Sequence, residues 1–277
     1  MDQIHMFHLS RRAFLQSRLD IPIASDVIVS LTSFPQRFQK LHLCVRSLLL
    51  QKMRPEKVVL FLSREDIEKT GIPRETQSLQ SDLFEIIVTE ENLRPYKKLI
   101  PAYERYSGKV IITADDDIIY PDDYVSRLVE TRDKNPGCAI SLEPRLMLAK
   151  NDTAFLDYNR WPIVNGIAGM QVFGRGGAGV LYPPDCFHQD ITRRDLFMTL
   201  APTTDDVWFK VMLYLAGTRV ASPYRKKQER WKSLKYRQKN ALWDYNRLGV
   251  NDKNLAAIMR HYGLRTRDFL FAETSAS

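Results

Sequence analysis

Apolar residues in the first half of the chain come in short blocks separated by polar stretches. VIVSLTSF (27–34), VVLFLS (58–63), FEIIVT (84–89), KVIITA (109–114) and CAISLE (138–143) are six to eight residues long and rich in β-branched and aromatic side chains, the composition of buried strands. Between them the period changes. Phe38, Leu41, Val45, Leu48 and Leu49 fall at helical spacing, and a further helix is predicted from Asp122 to Lys134. DDVWFKVMLYLAGT (205–218) reads as a helix with acidic residues at its start and Gly217 near its end. Residues 144–204 are less regular and hold FGRGGAGVLYPP (173–184), while 226–277 look helical and basic. Strands alternating with helices predict a mainly parallel α/β sheet with right-handed crossovers. Ligands of such sheets bind beyond the carboxyl ends of the strands, here TSFPQR, SRED, TEEN and DDD.

Length and composition narrow this further. The 277 residues suffice for one large domain or one domain with an appendage. The expected division is a lead segment 1–25, a catalytic-size domain 26–222 and a helical extension 223–277. A hydrophobic content of 44% with 27% charged residues excludes general disorder. Cys44, Cys138 and Cys186 are odd in number, widely spaced and without a CxxC pair, which suits buried thiols in a reducing compartment better than a disulfide frame or a zinc site. No apolar run reaches the roughly 18–20 residues of a membrane span, and the N-terminus lacks the apolar core of a signal peptide. The sequence thus reads as a cytoplasmic protein, soluble or peripheral on the inner membrane face. Its formal net charge is +8, and ten Lys or Arg against two acidic residues fall between Arg219 and Arg247, interleaved with Tyr224, Trp231, Tyr236, Trp243 and Tyr245. That pattern suits an anionic membrane surface, a phosphorylated glycolipid or a nucleic acid, or a solvated helix whose aromatics pack inward.

Against this basic background the fourth strand runs into TADDDIIYPDD (113–123), five aspartates within nine positions. Adjacent carboxylates at a strand end must be hydrated, paired or metal-bound. An x-Asp-x-Asp turn sends Asp115 and Asp117 to the same side, where they can hold Mg²⁺ or Mn²⁺ together with substrate phosphates. Asp116 then points elsewhere, toward backbone amides or a basic side chain. Asp122 and Asp123 are read chiefly as the start of the next helix.

An apolar strand ending in this D-X-D element resembles the signature of nucleotide-sugar glycosyltransferases of the GT-A fold. VIVSLTSFPQR, KKLIPAYE, TADDDIIYP, GAGVLYPP and TDDVW, in that order, are together similar to bacterial family 2-type transferases of surface polysaccharide, lipopolysaccharide or capsule assembly, over roughly residues 26–222. One departure is visible: many such enzymes carry an acidic residue directly after the second strand to contact the base, and VVLFLSRED offers Ser63 first, with Asp66 further on.

The resemblance implies a GT-A, Rossmann-like sheet flanked by helices, with the basic helical extension appended. It implies a divalent ion, Mn²⁺ or Mg²⁺, on Asp117 and Asp115, bridging the phosphates of a nucleotide sugar, most simply a UDP-sugar. Thr32, Arg37, Lys97, Lys98, Asp115 and Asp116 are the expected nucleotide and phosphate contacts. Gly177 and Gly179 are expected to border the donor sugar, because glycine permits close backbone approach. Asp206 is the expected base that deprotonates an acceptor hydroxyl, and Asp205 its neighbour. Trp161 and Trp208 are candidates for stacking on sugar faces, and His188 or His261 for a third metal ligand. With a base and no evident nucleophile, the expected chemistry is single displacement with inversion, onto a glycan or lipid-linked acceptor. Three alternatives remain: a retaining transferase with the same donor site; a nucleotidyltransferase, which would need a Gly-rich phosphate loop that VSLTSFPQR lacks; and a nucleic-acid-binding protein using 219–247. The last leaves both aspartate groups unexplained, so no nucleic acid is expected.

Overall fold

The computed structural model describes residues 21–224, 232–234 and 249–270. The strands are β1 (Ile23–Thr32), β2 (Arg54–Ser63), β3 (Phe84–Thr89), β4 (Val110–Ala114), β5 (Ile118–Ile119), β6 (Ala139–Ser141) and β7 (Arg145–Leu146), then β8 (Ala149–Asn151), β9 (Ala154–Phe155), β10 (Ala168–Gly169), β11 (Val172–Phe173), β12 (Val180–Tyr182), β13 (Val220–Ala221) and β14 (Lys232–Ser233). Five helices matter here: α1 (Phe38–Leu49), α2 (Arg64–Thr70), α3 (Tyr124–Lys134), α4 (Asp205–Leu215) and α5 (Asn251–His261).

The main sheet runs β10-β13-β6-β12-β4-β1-β2-β3. Strands β3, β2, β1 and β4 are parallel. Antiparallel β12 is wedged between β4 and β6, β13 runs parallel to β6, and antiparallel β10 closes that edge. The near-continuous apolar runs have a simple cause: both sheet faces are covered. Side chains alternate across a strand, so Ile28, Val59, Phe61 and Ile111 enter one core while Val27, Val29, Leu31, Val58, Leu60, Leu62 and Ile112 enter the other. Helices α1 and α3 contribute Leu41, Val45, Leu48, Val125 and Leu128 to the second core. Helices α4 and α5 contribute Trp208, Met212, Leu255 and Ile258 to the first.

Residues 144–204 give β10 and β12 to the main sheet and otherwise fold as short ribbons, β7–β11 and β8–β9, with 3-10 turns and a helix at Arg194–Leu200. The predicted strands recur with shifted ends: the first two begin four residues earlier, and the last is confined to Ala139–Ser141. No described helix is long and apolar enough to cross a membrane. Of the basic aromatic segment, Trp231, Tyr236, Trp243 and Tyr245 lie outside the described residues.

The sheet's architecture aligns its chemistry. Leu31 of β1 is level with Ala114 of β4, so SFPQR and the aspartate loop leave the sheet side by side. The loop is secured from several directions. The Asp115 amide donates to Tyr120 Oη (2.7 Å) and the Cys44 thiol to the Asp115 carbonyl (3.3 Å). On the far side β14 pairs with β5, and the Leu234 amide donates to the Asp117 carbonyl (2.6 Å).

Candidate active site

The three consecutive aspartates take different environments, as an alternating turn requires. The Asp115 and Asp117 side chains are 31% and 26% exposed, that of Asp116 only 5%. Asp116 accepts from the Ser33 hydroxyl and from Arg37 Nη1 (2.6 Å). The same guanidinium nitrogen lies 3.1 Å from Asp117 Oδ2. Burial, then the charge of Asp115, pushes Asp117 up to about 6 against the pull of Arg37. Burial also raises Asp116, opposed by Arg37 and Ser33.

Lys98 joins this loop to the start of α4. Its ammonium stands 3.2 Å from Asp115 Oδ1, 2.9 Å from Asp205 Oδ2 and 3.8 Å from Asp206 Oδ1. Burial opposes the charge on Lys98, yet the three carboxylates outweigh it and hold the ammonium well above the ordinary lysine range. Neither aspartate is needed as a cap. Thr204 stands at the N-cap without a side-chain cap bond, its hydroxyl accepting from Asn254 Nδ2 (2.9 Å). Instead Asp206 Oδ2 accepts from the Gly176 amide (2.9 Å), and buried Oδ1 has no hydrogen-bond partner among the described residues. Burial drives the Asp206 carboxyl up to about 7; Lys98 pulls it down and Asp205 pushes it up.

Gly176 explains how the irregular glycine loop enters the site. A Cβ there would lie 2.6 Å from Asp206 Oδ1 and 2.7 Å from Lys98 Nζ, distances that a real methyl group cannot occupy. Gly177 faces Asp115 Oδ2, 3.6 Å from where its Cβ would be. The site therefore gathers Arg37, Lys98, Asp115, Asp116, Asp117, Gly177, Asp205 and Asp206 at the carboxyl edge of β1 and β4, and adds Ser33 and Gly176, which sequence reasoning missed. Gly176 sits inside the quoted FGRGGAGV run, one position before the expected pair; only the location of Asp206 distinguishes it.

The other residues singled out by the sequence have protein partners of their own. Lys97 points away, to Asp66 Oδ2 (3.1 Å), Asn92 Oδ1 (2.8 Å) and Ser63 Oγ (3.3 Å), because adjacent residues of the 3-10 turn Arg94–Lys98 diverge. Gly179 has φ +83° and its α-carbon abuts the Tyr124 hydroxyl, which donates to the Thr113 carbonyl (2.9 Å); it packs the loop against α3. The Thr32 hydroxyl donates to the Phe61 carbonyl (2.8 Å). Trp161 and Trp208 are buried, their indole N–H groups satisfied by Leu156 and Ile191 carbonyls, so neither offers a face to a sugar. His188 accepts from the Asp190 amide (3.3 Å) and His261 packs on Tyr262. Among the described residues no three His, Cys, Asp or Glu side chains form a metal-holding group, so neither histidine joins the aspartates.

The profile of the family described as glycosyl transferase family 2 matches residues 32–173, just over half of the chain. The chain belongs to this family. Its mainly parallel mixed sheet with helices on both faces is the GT-A, Rossmann-like arrangement. No curated protein matches the chain by sequence. Among solved structures it is similar to a mannosyltransferase from Pyrobaculum calidifontis in complex with GDP-Man and Mn²⁺, at 15% identity, covering 76% of this chain and 59% of that one, with a TM-score of 0.40. It is also similar to TarS 1–349 of S. aureus, at 10% identity, 73% and 60% coverage and a TM-score of 0.42. A 4-diphosphocytidyl-2C-methyl-D-erythritol synthase aligns at 12% identity over 80% and 98%, with a TM-score of 0.45. The chain spans about three fifths of the first two of these structures, and its family membership rests on the sequence match alone.

Proposed function

We propose that this glycosyltransferase moves a sugar from a nucleoside-diphosphate sugar, a UDP-sugar in the simplest case, to a hydroxyl of a glycan or glycolipid, by single displacement with inversion. The observation that carries the proposal is Lys98. One buried ammonium contacts Asp115 of the D-X-D loop and Asp205 and Asp206 of α4, which supports a donor subsite and a base in one cleft.

The donor set fits a hard divalent cation. Asp115 and Asp117 offer only oxygen, are part-open, and repel one another, whereas Asp116 is taken up by Ser33 and Arg37. Asp115 and Asp117 would hold such an ion, with room for water and donor phosphate as further ligands. When bound, such an ion neutralises charge on the departing diphosphate. Arg37 and Lys98 add fixed positive charge beside it.

On the acceptor side, Asp206 Oδ2 is fixed by the Gly176 amide, leaving Oδ1 to receive the proton of the acceptor hydroxyl. A carboxyl near 7 is suited to that task at neutral pH. The acceptor oxygen bonds to the anomeric carbon as the bond to the diphosphate oxygen breaks, and the proton passes to Asp206. A retaining enzyme would share the donor site without needing that transfer.

The test is a panel of nucleotide sugars with Mn²⁺, including UDP-sugars and GDP-mannose, scored by hydrolysis and by protection against thermal unfolding. At least one donor is expected to protect the wild type and to lose that effect in Asp117→Ala. Identical behaviour of the two proteins toward every donor overturns the metal–donor assignment, and NMR of the product anomer decides inversion against retention.

A further inference from the structure

The β7–β11 ribbon carries a cation that the proposed chemistry does not use. Arg145 opens β7 opposite Phe173 of β11. Its Nη1 donates to the Tyr158 and Trp161 carbonyls (3.2 and 2.9 Å), and its guanidinium lies 5.1 Å from the centre of the Tyr158 ring. Its buried Nε has no hydrogen-bond partner, and no carboxylate lies within ion-pair distance, among the described residues. A half-buried charge without a counter-charge is costly. Among the described residues nothing supplies that counter-charge, and a bound anion would.

A second guanidinium lies two residues beyond Phe173. Arg175 Nη2 sits 2.7 Å from Oε2 of buried Glu143, which fixes one arm while a third of the side chain stays exposed. The next residue is Gly176, whose amide holds Asp206. Neither arginine pairs with Asp115, Asp116 or Asp117, whose cations are Arg37 and Lys98. Both arginines thus attach to the segment 173–176 that leads to the Gly176–Asp206 contact, Arg145 through its pairing with Phe173 and Arg175 as the neighbour of Gly176. Consistently, burial and then the charge of Asp206 push the Tyr158 phenol up to about 12, with Arg145 and Arg175 pulling the other way.

We propose that Arg145 and Arg175 form an oxyanion subsite for the acceptor, so that the sugar receiving the glycosyl group carries a phosphate or a carboxylate near the hydroxyl presented to Asp206. This rests on the reading of Asp206 as the base. Arginine suits the task because its planar fork matches either oxyanion with two parallel hydrogen bonds. Selection then works by difference: a neutral glycan leaves Arg145 uncompensated, and an anionic one does not.

Thermal unfolding of the metal-free protein, titrated with inorganic phosphate against chloride at equal ionic strength, tests this directly. A parallel arm compares methyl β-D-glucuronide with methyl β-D-glucoside. The wild type is expected to gain stability with phosphate or glucuronide concentration, as any native-state ligand produces, and not with the glucoside. Response to phosphate alone points to a phosphorylated acceptor, to glucuronide alone to a uronate; either supports the subsite. The R145Q/R175Q pair is expected to lose most of the response. Because Arg145 also holds the 158–161 turn, R145K and the single R175Q are measured beside it; R145K, which keeps the charge but not the fork, is expected to retain part of the response. The subsite is overturned if neither anion outperforms its control, or if R145Q/R175Q responds as the wild type does. It is also overturned if that pair loses the stabilisation by UDP with Mn²⁺ together with the phosphate response, for the arginines would then serve the donor. A wild type that answers phosphate but no nucleotide sugar removes the acceptor assignment along with the proposed reaction.

Discussion

Lys97 and Lys98 are neighbours in one 3-10 turn and almost equally buried, 2% and 6% exposed, yet they sit in opposite electrostatic settings. Around Lys97 the polar groups close on themselves. Asp66 supplies the one carboxylate, Ser63 donates to it (2.6 Å), and Asn92 accepts from the ammonium. Burial prevails there and lowers the lysine. Around Lys98 three carboxylates compete for one ammonium, raise it, and leave Asp206 Oδ1 without a hydrogen bond. The first cluster joins β2, α2 and the turn as internal structure. The second carries surplus negative charge and an unsatisfied acceptor atom, the condition of a site built to receive a cation and a proton.

The comparison breaks most visibly at Asp206. Asp206→Asn is expected to lower kcat by ~10³-fold, within the range of general-base deletions, while removing a buried negative charge and so leaving stability unchanged or increased. A variant that keeps most activity and yields the opposite anomer would replace inversion by retention. Lys98→Met comes next. It strands three carboxylates and is expected to cost ~3–5 kcal/mol in denaturant unfolding, as removal of one partner from a buried ion pair does. Lys97→Met leaves Asp66 with Ser63 and Asn92 and should cost clearly less. Equal losses would mean that the two clusters do not differ in kind.

The third effect is a divergence of sign with pH. Asp206 titrates at about 7, above the unfolded value of about 3.9, so the native state binds more protons between those limits. Its contribution to stability therefore falls as pH rises from about 4 to about 7, whereas kcat/KM rises over the upper part of the same window as the base ionises. Parallel rather than opposed trends, or trends that survive Asp206→Asn, would assign the titration to another group.

Much of this was legible because it rests on local pattern. Apolar runs read as strands proved to be strands, since burial on both faces demands continuous hydrophobicity, and DDD and TTDDVW could be found as acidic groups beside such elements. What pattern could not carry was direction. Lys97 and Lys98 are identical letters, and only the turn geometry separates one to Asp66 from the other to Asp115. Gly176, Gly177 and Gly179 share one motif but face Asp206, Asp115 and Tyr124. Arg145 in EPRLML carries no motif at all. Its interest arises from having no counter-charge among the described residues, which is a statement about absent neighbours and so invisible along the chain.

A third buried lysine calibrates the first two and carries the smallest expected effect on turnover. Lys210, 1% exposed, lies on α4 one turn beyond Asp206, donates to the Met170 carbonyl and stands 5.9 Å from the centre of the Phe269 ring. It pairs with no carboxylate among the described residues, and burial alone brings it down to about 7. With one, three and no carboxylates, Lys97, Lys98 and Lys210 form a series in counter-charge at similar burial. Because the folded value of Lys210 lies below the unfolded value of about 10.4, the native state binds fewer protons between the two. Its contribution to stability must then climb as pH rises from about 7 toward about 10, by up to ~1.4 kcal/mol per unit, and be lost as pH falls through 7. Lys210→Met, measured by denaturant unfolding at several pH values, should remove that climb, be the more stable protein at pH 7, and transfer sugar as the wild type does. If the wild type and the variant instead trace parallel stability curves, burial without a counter-charge does not depress a lysine in this fold, and the contrast between Lys97 and Lys98 loses its reference.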